Sequence, residues 1–249
     1  MTDLYEEIVK IRRSGGKAAL ATLIDRRGST PAAVAAKMLV RSDDTTVGTI
    51  GGGCVEAEVF AAAKEVIKEE RPRLVSFRLT EKQMVESGLI CGGVMDVFIE
   101  PIVADPTVFI FGAGHVAAPL ARLAKVAGFE VVVIDDRELF ANPQRFPDAR
   151  QIIVAPFEKA FQQIQPNDLS YLVIVTRGHS HDEQALEWAC RTKARYVGMM
   201  GSRAKVATIF KRLRKRGIPE EALARVRSPI GLAIGAETPE EIAVSIVAE

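Results

Sequence analysis

The sequence predicts an α/β protein in two parts: a small N-terminal α+β domain over residues 1–103, then a doubly wound parallel-sheet domain over 107–249. Three observations predict it. Val108–Phe111 is a short apolar run, and Gly112-Ala113-Gly114-His115-Val116-Ala117 follows at once, giving the G-x-G-x-x-G/A turn between a buried strand and a helix. Val116, Leu120, Leu123, Ala124 and Ala127 then recur at helical spacing, and Gly128 punctuates the end. Glu130–Ile134 returns as a second buried strand and closes on Asp135-Asp136. An acid in that place is where a nucleotide ribose would be held, so the second domain reads as Rossmann-like.

Each glycine in the turn has its own task. Gly112 allows the tight turn, Gly114 removes a side chain where a phosphate approaches, and Ala117 lets the helix pack close to the strand. The alternation continues with strands at Gln151–Val154, Tyr171–Val175 and Tyr196–Met199. Between them, 183–193 reads as a helix with Leu186, Ala189 and Cys190 inward. Val206, Ile209, Phe210 and Leu213 mark another helix, closed by Gly217. Thr238-Pro239-Glu240-Glu241 is a capping box with proline at the first helical position.

The first domain opens with a helix at 4–13, stopped by Ser14-Gly15-Gly16. Strands are expected at 18–24, from 37, at 47–50, 74–79 and 94–99. The segment 25–31 reads as a polar loop. A long helix carries Val55, Val59, Ala62, Ala63, Val66 and Ile67 on one face. The stretch 101–106, PIVADP, reads as the boundary, short enough for the two domains to meet across a cleft.

Composition narrows the functional classes. Apolar residues make up 48% and charged residues 26%, the balance of an ordinary globular protein. A net charge of +1 gives no general attraction to nucleic acid or acidic membrane. No apolar run has the length of a membrane span, and the first residues lack a signal-peptide core. A cytoplasmic location is expected, in which three cysteines are not a disulfide framework.

The candidate site residues lie after strand ends. All three histidines, His115, His179 and His181, fall in loops expected to flank the crevice between the first and fourth strands of the sheet. They read as polar lining of a ligand site. A metal site built from His115, His179, His181 and Asp182 is the sharper alternative, and helix capping is the plainer role for Asp182. Cys54 follows three glycines and opens a helix, where free N–H groups favour a thiolate. It reads as a ligand-facing thiol. Cys91, in a second glycine turn, is open between that role and a small buried hydrophobe; Cys190 reads as core. The basic run 211–216 reads as a solvated helix face.

The motifs GTIGGGCVE (48–56), CGG (91–93), FGAGHVA (111–117), DDR (135–137), TRGHSHD (176–182), YVGMMGSR (196–203) and SPIGLAIGAETPEEIAVSIVAE (228–249) together resemble the XdhC/CoxI family, the xanthine dehydrogenase accessory factors. The resemblance runs along essentially the whole chain, in order. One departure is 28–35, GSTPAAVA, where the family often carries a basic segment.

The resemblance implies a protein that binds molybdenum cofactor, protects it while a terminal oxo ligand is exchanged for sulfur, and inserts it into a molybdenum hydroxylase. No pyridoxal-phosphate lysine motif is present, so a cysteine desulfurase partner would donate the sulfur. The candidate cofactor-binding set is Gly52, Gly53, Cys54, Cys91, Gly112, Gly114, His115, Asp135, Arg177 and His179. Cys54 is the candidate molybdenum contact, a soft ligand for the metal, and His179 and His181 are further metal candidates. The alternative is an NAD(P)-dependent oxidoreductase, with Asp135 on the ribose and His115 or His179 moving protons. A homodimer is open; a nucleic-acid or membrane partner is not expected.

Overall fold

The computed structural model describes residues 3–28, 33–78 and 93–249, apart from the side chains of Arg13 and His179. The chain divides into two compact units, Met1–Ala104 and Asp105–Glu249.

The first unit opens with α1 (Leu4–Ser14). Asp3 caps it by accepting from the Tyr5 N–H at 2.8 Å, and Gly15 ends it in the left-handed conformation. There follow β1 (Ala18–Gly28), β2 (Lys37–Arg41), β3 (Thr46–Gly48), α2 (Gly53–Glu69), β4 (Arg73–Arg78) and β5 (Gly93–Ile102). The strands form one antiparallel sheet in the order β3-β2-β1-β5-β4.

Side chains alternate across a strand, and β1 uses both faces. Ala19, Ala21 and Leu23 pack with Val55, Val59, Ala63 and Val66 of α2. Ala18 and Leu20 pack with Ile11 of α1. The polar stretch 25–28, expected as loop, instead continues β1 beyond a register shift, pairing Asp25 with Asp96 and Gly28 with Gly93. Its exposed side chains disguise it, while Arg27 fixes it to Asp96 of β5 at 2.8 Å.

The second unit contains β6 (Thr107–Phe111), α3 (Ala117–Val126), β7 (Glu130–Asp135), β8 (Gln151–Val154), α4 (Phe157–Phe161), β9 (Ser170–Ile174), α5 (His179–Ala189), β10 (Tyr196–Met199), α6 (Arg203–Lys215), α7 (Glu220–Ala224), β11 (Val226–Arg227) and α8 (Pro239–Ala248). All strand pairs are parallel, and the order is β11-β10-β9-β6-β7-β8. β6 and β9, the first and fourth strands, are neighbours. Strand order reverses between them, which makes their carboxyl ends the switch point of a doubly wound sheet. Both faces are covered: Phe109 and Phe111 belong to one core with Leu186 and Ile209, Val108 and Ile110 to the other with Leu120 and Ile246.

Two helices of this unit end by different means. α3 ends in a Schellman motif: the Phe129 N–H bonds to the Ala124 carbonyl at 3.0 Å and that of Gly128 to Lys125 at 3.1 Å. The helix expected at 183–193 starts and ends four residues earlier, at His179 and Ala189. Arg225 explains the early stop. Its guanidinium donates to the carbonyls of Ala189 (3.0 Å), Thr192 (2.8 Å) and Ala194 (3.2 Å), satisfying the chain as it leaves the helix. Cys190 is buried just beyond, and burial pushes its thiol up to about 11.

Gly112 is demanded by the fold. Its φ is +103°, and a Cβ there would lie 2.6 Å from the Val175 carbonyl oxygen. Gly128 also has positive φ, +89°, but a Cβ there meets nothing within 4 Å. Gly112→Ala is therefore expected to cost about 3 kcal/mol or more in urea denaturation and Gly128→Ala only about 1 kcal/mol. Equal costs would contradict this reading of the turn.

Candidate functional site

The site is built at the carboxyl ends of β6, β7 and β9. After β6 the chain turns through Gly112 to Val116 and enters α3 at Ala117. The first turn of a helix leaves its N–H groups without intrahelical acceptors. Here Asp135 takes the N–H of Ala113 at 2.7 Å. The N–H groups of Gly114, His115 and Val116 have no hydrogen-bond acceptor among the described residues. A Cβ on Gly114 would meet nothing within 4 Å. The fold therefore does not need glycine at 114 for lack of room. Its bare backbone leaves the helix start open to an anion, which the helix dipole also favours.

Asp135 is buried, at 3% exposure, and its carboxylate accepts four hydrogen bonds. They come from the Ala113 N–H, the Arg137 N–H at 3.0 Å, and the Arg137 guanidinium at 2.8 and 2.9 Å. Burial pushes its pKa up, but the bonds from the Arg137 side chain and the two N–H groups outweigh it and hold the carboxyl down at about 2. The expected role of Asp135, a free acceptor for ribose hydroxyls, is thus modified. Its oxygens brace the glycine turn and face Arg137, and a sugar would have to displace the guanidinium.

Asp136, next in the chain, is exposed and accepts from Arg177 at 2.9 Å. Arg177 in turn lies 3.4 Å from Nε2 of His181. These residues, with Asp135, Pro156, Phe157, Glu158, Thr176 and Gln184, line an open pocket. His181 stands edge-on to the Phe157 ring, centroids 5.6 Å apart. Glu158 is held below its ordinary range by backbone and Gln184 hydrogen bonds.

The three histidines separate. His181 lines the pocket, His115 is exposed on the turn after β6, and the backbone of His179 opens α5. Among the described residues, no group of three or more His, Cys, Asp or Glu side chains is placed to hold a metal ion. Asp182 does not cap α5, whose N-cap, Gly178, makes no side-chain cap bond. Asp182 is fully buried in the first turns of the helix, where it accepts from the Thr176 hydroxyl at 2.7 Å and pairs with Lys205. A cap must lie outside the helix it closes, and α5 begins before Asp182.

In the first unit, Gly51, Gly52 and Gly53 all have positive φ, and α2 starts at Gly53. Glu56 reaches back, accepting from the Gly52 N–H at 3.0 Å and the Thr49 hydroxyl at 2.6 Å. This closes the turn and leaves the half-buried Cys54 in the first turn of α2. Cys91 lies outside the described residues.

Sequence reasoning missed Arg145 and Lys205. Arg145 donates to the Gly114 carbonyl at 3.4 Å, and with Arg137 it stacks on Phe140, at 5.1 and 4.0 Å from the ring centroid. The pattern R-x-x-F-x-x-x-x-R after DD was visible but matched no motif. The basic run at the end of α6 has a plainer explanation: Arg212 and Arg216 pair with Glu183 at 3.0 and 2.8 Å, and Arg214 with Glu220 at 2.7 Å.

The parallel sheet and the glycine turn at its switch point define a Rossmann-type domain. The description "XdhC Rossmann domain" matches residues 108–249, and "XdhC and CoxI family" matches residues 11–78. The chain belongs to the XdhC and CoxI family.

It is 36% identical to the uncharacterised protein YqeB of Escherichia coli K12 over 99% of this chain and 45% of YqeB. It is 38% identical to a Bacillus subtilis protein described as a probable xanthine dehydrogenase component, over 62% of this chain and 44% of that protein. At 22% identity it matches the molybdenum cofactor insertion chaperone PaoD of E. coli, over 100% of this chain and 88% of PaoD. The chain spans less than half the length of the first two relatives. A crystal structure described as a xanthine dehydrogenase from Bacillus halodurans shares the fold, with TM-score 0.52 and 24% identity over 100% of this chain and 94% of that one. No helix among the described residues is long and apolar enough to cross a membrane.

Asp135 should titrate near 2, against about 3.9 in an unfolded chain. Its native pKa is depressed, so its stabilisation is complete above the unfolded value and is lost as pH falls through about 3.9 toward 2. Arg137→Met removes the counter-charge but leaves the burial. The expected result is an Asp135 midpoint raised above that of the wild type in carboxyl NMR titration, and a loss of about 2 kcal/mol at neutral pH. An unmoved midpoint would show that Arg137 is not what holds the charge.

Proposed function

We propose that this chain binds the phosphate-bearing pterin of molybdenum cofactor and acts as an accessory protein for a xanthine dehydrogenase-type molybdenum hydroxylase. In this reading it supports sulfuration and insertion of the cofactor and is itself a carrier. A cysteine desulfurase supplies the sulfur. The observation that carries the reading is the turn into α3: the N–H groups of Gly114, His115 and Val116 have no acceptor among the described residues, and a Cβ on Gly114 would meet nothing within 4 Å. A pterin phosphate is the part of the cofactor such a turn suits. Arg145 adds positive charge beside it. The pocket beyond Asp136, with an apolar wall at Pro156 and Phe157, suits a flat ring system or an appended nucleotide.

The family and the names of two relatives support a molybdenum-cofactor role. In the first unit, Cys54 is the thiol we assign as a soft sulfur ligand or sulfur relay. The bound cofactor itself supplies the molybdenum centre that the receiving hydroxylase uses. His115 and Arg177 serve as polar lining. The nicotinamide-dependent alternative is disfavoured by one observation: the acid that should hold the ribose already accepts four hydrogen bonds.

Gly114→Val separates binding from folding. Because a Cβ at 114 meets open space, stability should stay within about 1 kcal/mol of wild type. Affinity for molybdopterin, measured by fluorescence or calorimetric titration, should fall tenfold or more. Cys54→Ala should weaken retention of the molybdenum-bearing form more than that of the metal-free pterin. A wild-type protein that binds neither form, or a Gly114→Val protein that binds as well as wild type, would sink the assignment.

A further inference from the structure

The segment that carries Arg177 and His181 to the pocket, 175–182, runs from the end of β9 into the first turn of α5, and its anchor ends in residues outside the pocket. Thr176, two residues beyond β9, accepts from the Gly178 N–H at 3.4 Å and donates to Asp182 Oδ1 at 2.7 Å. The other Asp182 oxygen pairs with Lys205 Nζ, which also donates to the Met200 carbonyl at 3.3 Å. Asp182 is fully buried and the Lys205 side chain is 17% exposed. The lysine stem lies over Gly201, where a Cβ would sit 3.0 Å from Lys205 Cδ. Ser202 caps α6 by accepting from the Lys205 N–H. The first turn of α5 is thereby tied to the first turn of α6 through one ion pair whose carboxylate is buried. None of Lys205, Asp182 and Gly201 lines the pocket.

We propose that Lys205 is a positioning residue for the ligand site. Through Asp182 and Thr176 it fixes the path of 176–182, so that Arg177 meets Asp136 and His181 meets Phe157 in one defined arrangement. A buried carboxylate that loses its partner is strongly destabilising, so any movement of 176–182 that parts Asp182 from Lys205 is opposed. Gly178, where a Cβ meets nothing within 4 Å, supplies no steric constraint of its own. The order of the loop therefore comes from the Thr176–Asp182–Lys205 chain. The consequence for the ligand rests on the pocket reading above; the consequence for the loop does not.

The test uses the full chain with Lys205→Met, and Lys205→Arg as the conservative variant. Lys205→Met should raise amide hydrogen exchange across 176–182 at least tenfold, leave exchange in β6 and β7 unchanged, and move the His181 ring resonances. Lys205→Arg should restore much of both. Molybdopterin affinity should fall at least fivefold in Lys205→Met. If that protein fails to fold, Thr176→Val breaks the same chain at its neutral link and should show the same exchange and resonance changes. A folded variant with unchanged exchange and unchanged His181 signals overturns the proposal. A wild-type protein that does not bind molybdopterin overturns the ligand reading instead, and the exchange data still decide the role of Lys205.

Discussion

The carboxylate of Asp135 is the fixed point of the second unit. It joins the end of β7 to the turn after β6 through the Ala113 N–H, and it holds Arg137 by two parallel bonds. A buried charge is tolerated only when paired and hydrogen-bonded, and here every contact also shapes the site. The Ala113 bond fixes the entry to α3. The Arg137 bonds place a guanidinium against Phe140, close to where Arg145 reaches the Gly114 carbonyl. The acid stands where a dinucleotide-binding domain holds its sugar, and here its oxygens accept from Ala113 and Arg137.

The two glycines of the turn then divide the labour between folding and binding. Gly112 is required by the protein itself, since the chain leaving β9 passes too close for any side chain. Gly114 is required by nothing in the packing around it. The same contrast holds among the charged residues. Asp182 is buried against Lys205, while Asp136 and Arg177 pair with their side chains partly exposed.

Much of this was legible in the sequence, and the reasons differ from element to element. The strand–turn–helix–strand unit from Val108 to Asp135 was clear because its apolar run, its glycines and its acid each answer to a separate physical demand. The Thr238 capping box was clear for the same reason, and both its reciprocal bonds are present. The polar end of β1 was hidden, because backbone pairing to β5 needs no apolar side chains. The bounds of α5 were hidden because its stop signal, Arg225, lies far along the chain. Asp182 was misread as a cap because its true partner, Lys205, is brought to it only by the parallel sheet. The direction of the Asp135 carboxylate could not be read either. The motif places an acid at the end of the second strand, and only the neighbouring Arg137 decides whether its oxygens face a ligand or the protein.

The central claim is that the glycine turn holds the phosphate of the bound pterin. The most direct measurement compares the affinity of the wild-type chain for molybdopterin with its affinity for the dephosphorylated pterin, at fixed ionic strength. The account predicts that removing the phosphate costs tenfold or more, about 1.4 kcal/mol for each factor of ten. Equal affinity for the two forms would contradict it.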